Sequence, residues 1–154
     1  MRLIDFLEEV AARYELHHHR PTFSAEEVAE EEHVPGINVA KPVIVEADGE
    51  VFMCVVPGSC RVDIEALKGH IEAEKIKLVS ESRLRMLFGD CAVGAEPPFG
   101  ELYGLMVLMD RMLEQDDYIV FQAGTHEDSI RMSVDDFMSL AAPRILEFSS
   151  LAVV

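Results

Sequence analysis

The stretch Val43-Ile44-Val45-Glu46-Ala47-Asp48-Gly49-Glu50-Val51-Phe52-Met53-Cys54-Val55-Val56 holds two apolar, β-branched runs on either side of Asp48-Gly49. Asp-Gly accepts positive φ at both central positions of a tight type I′ turn, whose twist matches that of the strands it joins. The stretch therefore predicts an antiparallel hairpin and puts a β-sheet at the centre of the molecule. Helical patterns lie on both sides of it. Leu3, Phe6, Leu7, Val10 and Ala11 recur at helical spacing and predict an amphipathic helix over residues 3–15, broken by His17-His18-His19-Arg20-Pro21. Ser24 followed by Glu27 is a capping-box pattern that opens a helix through Glu32, ended by Pro35-Gly36. Asp63 caps a helix carrying Ile64, Leu67 and Ile71, Ile76 to Val79 read as a strand, and Ser80 opens a helix through Phe88. Residues 105–109, 118–121 and 129–132 read as three further strands, and Ser133 with Asp136 caps a last helix. Antiparallel hairpins mixed with short helices imply an α+β fold. The expectation is one domain over residues 1–154, with a mixed, mostly antiparallel sheet or partial barrel surrounded by short helices. Residues 149–154 read as a dispensable tail.

Composition narrows the function classes. The chain has 154 residues, 49% hydrophobic and 27% charged, enough for one buried core. Its 29 acidic against 13 basic residues give a net charge of −16, which weighs against a broad phosphate-tracking surface and makes any nucleic-acid contact small and local. The Glu26-Glu27 and Glu30-Glu31-Glu32 cluster reads as a solvated helix face. No apolar run is long enough to span a membrane, and the first residues are acidic where a secretory signal is basic and then apolar, so a cytoplasmic protein without a membrane partner is expected. Cys54, Cys60 and Cys91 form no C-x-x-C pair, and the consecutive histidines 17–19 lack i, i+4 geometry. Neither a disulfide framework nor a metal or other cofactor is expected. A monomer is the default, with the Met-rich strand at 105–109 available for a dimer.

The segment Gly94-Ala95-Glu96-Pro97-Pro98-Phe99-Gly100 combines two glycines with two prolines, a composition suited to a rigid wall whose backbone N–H groups face a ligand. Lys41 enters the first hairpin strand and reads either as a charge that protects a sheet edge or as a ligand contact.

In their order and spacing, His19, the Ser24 helix, Ala40-Lys41, Val56-Pro57-Gly58, Arg61-Val62-Asp63, Gly89, Gly94, Pro98-Phe99-Gly100 and Ala123-Gly124 resemble the YbaK, or prolyl-tRNA synthetase associated, family of aminoacyl-tRNA editing domains. The resemblance spans nearly the whole chain. It implies a free-standing deacylase that hydrolyses the ester of a mischarged tRNA bearing a small amino acid, with the aminoacylated acceptor end as its partner. It implies that Lys41 contacts that end at the pocket mouth. It also implies that Gly94 and Pro98, with Ala95, Pro97, Phe99 and Gly100 around them, form the G-x-x-x-P loop that positions the ester. His126 falls where some relatives carry a substrate-recognition histidine. One departure stands out: Pro42 follows Lys41 where threonine is common, and proline removes a backbone donor and restricts Lys41 itself.

Two rival readings come from other classes. Cys91 activated by His126 would make a cysteine hydrolase, although the residue beside Cys91 is an acid, Asp90, and not a base. A pocket that has lost catalysis would make a binding module for a small amino acid or an aminoacyl-tRNA end.

Overall fold

The computed structural model describes residues 2–151. In chain order the elements are α1 (Arg2–Glu9), β1 (Glu15–His18), α2 (Ala25–Glu32), β2 (Ala40–Ala47), β3 (Glu50–Pro57), β4 (Cys60–Val62), α3 (Ile64–Ile71), β5 (Ile76–Leu78) and α4 (Glu81–Leu87). There follow β6 (Met106–Asp110), α5 (Arg111–Glu114), β7 (Tyr118–Gln122), β8 (Asp128–Ser133), α6 (Val134–Ala141), β9 (Arg144–Leu146) and β10 (Ser149–Leu151), with 3-10 turns at Gly36–Asn38 and Gly100–Tyr103. The fold is α+β. Its main sheet has the order β5-β2-β3-β6-β9, a second sheet has β1-β8-β7, and β4 pairs with β10. All pairings are antiparallel except β3 with β6 and β6 with β9, and the sheets are open.

The hairpin forms as its sequence dictates. Asp48 and Gly49 both have positive φ, 49° and 90°, and Asp48 accepts the N–H groups of Glu74 and Lys75 at 2.9 Å, which ties the turn to the start of β5. Phe52, Cys54 and Val56 of β3 face one core with Leu67 and Phe148, while Met53 and Val55 face the other with Phe99, Phe121 and Phe137. A strand covered on both faces reads as an unbroken apolar run, as Val51 to Val56 does. Pro42 is accommodated within β2. Gly58 donates to Val39 O on the β3 side and Val79 donates to Ile44 O on the other, so odd residues of β2 bond to β3 and even residues turn outward. Pro42 is an outward residue beyond the reach of β5, whose pairing begins at Val45, and it forfeits no ladder bond.

Three expectations are corrected. The first helix stops at Glu9, well short of residue 15. Ala11 takes a left-handed φ of 53°, with Ala12 N–H on Leu7 O and Ala11 N–H on Glu8 O, a Schellman ending built without glycine. His17 and His18 lie in β1 and not in a breaking turn, paired with Ser129 and Asp128 of β8. The carboxylates facing them, Glu32 and Glu15 for His17 and Asp128 for His18, raise their pKa values. Residues 149–151 are a paired strand, not a loose tail; residues 152–154 of that expectation lie outside the described residues.

One acid is unfavourably placed. Asp116 Oδ2 is buried with no partner among the described residues, and desolvation, with the neighbouring Asp117 charge, pushes its carboxyl up to about 6. A folded-state pKa above the unfolded value means that the folded chain binds the proton more tightly, so stability falls as pH rises from about 4 through about 6. Asp116→Asn is expected to stabilise the protein at neutral pH by about 1–2 kcal/mol, a value reduced for partial solvent screening. In thermal denaturation across pH, that advantage should vanish below about pH 4.

Candidate functional site

A cavity of about 210 Å³ opens between α2, the start of β2 and the end of β7. Its sequence logic lies in the isolated parallel bridge between Val39 and Val120, both packed on Val28 of α2. Side chains alternate along strands, so Lys41 and Gln122, each two residues past the bridge, turn to the same side as those valines. Both line the cavity, together with Val28, Ala40, Phe23 and Gly94. Gly58 permits the close packing below: a Cβ there would lie 3.0 Å from Ala25 Cβ and from Val39 Cβ.

Lys41 is half-buried and donates from Nζ to Cys60 O at 2.5 Å. Desolvation lowers its pKa, opposed in part by the Glu26 carboxylate. An ammonium has three donors, and this bond uses one of them.

Gly94 has a φ of 90° and stands on the rim, where a Cβ would lie 3.5 Å from the His126 ring. Its N–H is already taken by Glu96 Oε1 at 3.0 Å, and the Ala95 N–H by Ala92 O at 3.0 Å. Gly94 thus offers clearance and not a donor. Ala95, Pro97, Pro98, Phe99 and Gly100 are buried and lie outside the cavity lining. Phe99 explains why: its ring sits 5.7 Å from Phe121 and 5.2 Å from Phe137, edge-on to the latter, and anchors the loop in the aromatic core.

His126 places both ring nitrogens on backbone carbonyls, Nδ1 at 2.9 Å from Thr22 O and Nε2 at 3.1 Å from Val93 O. Both contacts point inward at the protein's own backbone, and the ring clamps the Gly94 loop against the Thr22 turn. Thr22 is fully buried; its N–H and Oγ1 donate to His126 O, and Gln122 Nε2 donates to both Thr22 O and Thr22 Oγ1 at 3.1 Å.

Phe23 and Gln122 escaped the sequence reading. Phe23 is 70% exposed, unusual for phenylalanine, and its ring leans on His126 with centroids 4.7 Å apart and planes tilted by 42°. It forms an apolar platform at the cavity mouth. A larger groove of about 430 Å³ between Tyr14, Tyr118, Arg131 and Asp136 gathers none of the expected residues. Its charges are partly occupied internally, with Arg131 3.8 Å from the Tyr118 ring centre and Arg13 paired with Asp136.

The Cys91 thiol is within 3.3 Å of Tyr103 OH, and burial pushes it up to about 12, the reverse of an activated thiolate. Cys91→Ala is expected to leave turnover of an aminoacyl ester within about twofold of wild type, measured as kcat/KM. Among the described residues no group of three His, Cys, Asp or Glu side chains is arranged to hold a metal ion, and no helix is long and apolar enough to cross a membrane.

Comparison with known proteins adds an independent line. The multifunctional Ser/Thr-tRNA deacylase ProXp-y of Escherichia coli strain K12 is 26% identical over 156 residues, covering 98% of this chain and 93% of that protein. A crystal structure of a hypothetical protein superposes with a TM-score of 0.88 at 20% identity, covering 97% of this chain and all of the other. A crystal structure of a candidate trans-editing enzyme for prolyl-tRNA synthetase gives 0.86 at 18% identity, covering 97% and 95%. The family described as aminoacyl-tRNA editing domain matches residues 19–140, most of the chain. The chain belongs to the aminoacyl-tRNA editing domain family.

Proposed function

We propose that this protein is a trans-acting aminoacyl-tRNA deacylase that hydrolyses the ester of a tRNA mischarged with a small amino acid. The observation that carries the reading is the small cavity holding Lys41, Gly94 and Phe23 together on an editing-domain fold. Its buried end, at Val28, Val39 and Ala40, takes the amino-acid side chain, and its rim, at Phe23 and Gly94, takes the terminal nucleoside.

The chemistry asks little of side chains. An aminoacyl ester is already activated, and a bound water needs orientation and a donor for the developing oxyanion. With the Gly94 and Ala95 N–H groups spent internally, the Lys41 ammonium is the donor nearest to hand. It grips a ribose, phosphate or carbonyl oxygen with the protons not given to Cys60 O. The absent Cβ of Gly94 lets the substrate backbone approach, and the exposed Phe23 ring offers a face on which the terminal base stacks. The tRNA's own terminal ribose hydroxyl orients the water. Small size supplies selectivity, since a synthetic site discriminates one methylene by only about 1–3 kcal/mol. The net charge of −16 restricts the contact to the acceptor end.

The test is deacylation of tRNAs charged with alanine, serine, threonine, cysteine, 2-aminobutyrate and proline, at modest salt. Serine and threonine come first, as the substrates named for the Escherichia coli relative. Rapid loss of one small ester with proline spared supports the reading. No acceleration with any of them, using folded protein, overturns it in favour of a binding module.

A further inference from the structure

We infer that Gln122 is a specificity-determining residue whose amide oxygen reads a hydroxyl group on the substrate's side chain, an inference that rests on the deacylase reading above. The amide is oriented without ambiguity. Its Nε2 faces two acceptors, Thr22 O and Thr22 Oγ1, each at 3.1 Å, so the other end of the amide is the oxygen. Thr22 is itself fully buried and bonded to His126 O, which holds the amide in place.

Gln122 Oε1 has no hydrogen-bond partner among the described residues, and Gln122 lines the cavity. Of the other polar lining side chains, Lys41 is a donor with no acceptor to offer, and Ser24 Oγ already accepts the Glu27 N–H. The buried lining around it is apolar, with Val28, Val39 and Ala40 each no more than 3% exposed. An oriented carbonyl oxygen beside an apolar wall suits a small side chain that carries one donor, such as serine, or one donor and a methyl group, such as threonine. Alanine and 2-aminobutyrate fill similar space but leave the oxygen unpaired on binding. Apolar pockets separate such near-isosteres poorly, whereas a site that hydrogen-bonds a substrate hydroxyl separates them well. The α-ammonium is common to all four amino acids and cannot produce a difference among them.

The readout is a ratio, because the active fraction of a preparation cancels from it. Wild type is expected to favour seryl over alanyl, and threonyl over 2-aminobutyryl, esters by about 10-fold or more in kcat/KM. Gln122→Met, close in length but without the oxygen, should bring both ratios to about one, within about threefold. Ratios unchanged in Gln122→Met, or already near one in wild type, overturn the inference. Should the variant not fold, binding of stable amide analogues to wild type decides: 3′-seryl-amido-adenosine should bind about 10-fold tighter than the alanyl compound, and equal binding overturns the inference. The same comparison separates the two claims. If wild type hydrolyses no ester, the deacylase reading fails, while the amide affinities still test Gln122.

Discussion

Lys41→Ala is expected to lower kcat/KM for the preferred aminoacyl ester by about 100-fold or more, the effect of removing one preorganised oxyanion donor. The loss should exceed that from any other cavity substitution because Lys41 is the one charged donor among the described lining residues. Gly94 and Ala95 spend their N–H groups on Glu96 Oε1 and Ala92 O, and the two ring nitrogens of His126 face carbonyls. Folding should survive, since Lys41 is half-buried with a single side-chain bond to Cys60 O. Its strand is held by Val39, Ala40 and Ile44 in the cores. The check is single-turnover deacylation beside a urea melt. A hundredfold loss with the midpoint unchanged assigns Lys41 to catalysis. Full activity returns it to a sheet-edge charge and leaves the ester without an identified donor.

Much of the fold was legible because its signals are local. Ser24, Asp63, Ser80 and Ser133 each accept the N–H three residues on, and Asp48-Gly49 turns the hairpin that its two positive φ values require. The end of α1 was not legible, because Ala11 occupies a left-handed position that glycine ordinarily signals. β1 was hidden by its composition: Glu-Leu-His-His at a sheet edge has no apolar alternation, and its pairing with β8 spans more than a hundred residues. The Gly94 loop stands out by its glycines and prolines and Lys41 by resemblance, and Gly94 and Lys41 both line the cavity. Phe23 and Gln122 do not stand out, since their meeting depends on the single bridge from Val39 to Val120, which no pattern along the chain encodes. Likewise residues 95–100 looked like a ligand wall when read as turn chemistry. Phe99 makes the segment a core anchor, a tertiary fact.

The second large effect concerns stability and the chain end that looked expendable. Asp110→Ala is expected to destabilise the fold by about 3 kcal/mol or more, because it strands several buried donors at once. Asp110 is 2% exposed, and its Oδ1 accepts from Phe148 N at 2.8 Å and Ser149 N at 3.0 Å. Its Oδ2 accepts from Met112 N at 3.0 Å and Ser149 Oγ at 2.7 Å. One carboxylate thus caps α5 and fastens the last strand, burying Phe148 in the second core. Asp110→Asn should cost less, keeping an acceptor for the two strand amides while turning a donor toward Met112 N. Deleting residues 149–154 should lower the urea midpoint as well; an unchanged midpoint would restore the view of a loose tail. The clasp also reaches the cavity. β10 pairs with β4 through Leu151 and Cys60, and the Cys60 carbonyl is the group that holds Lys41 Nζ. Losing the clasp should therefore reduce activity per folded molecule, by less than Lys41→Ala does, since the ammonium remains and only its anchor is loosened.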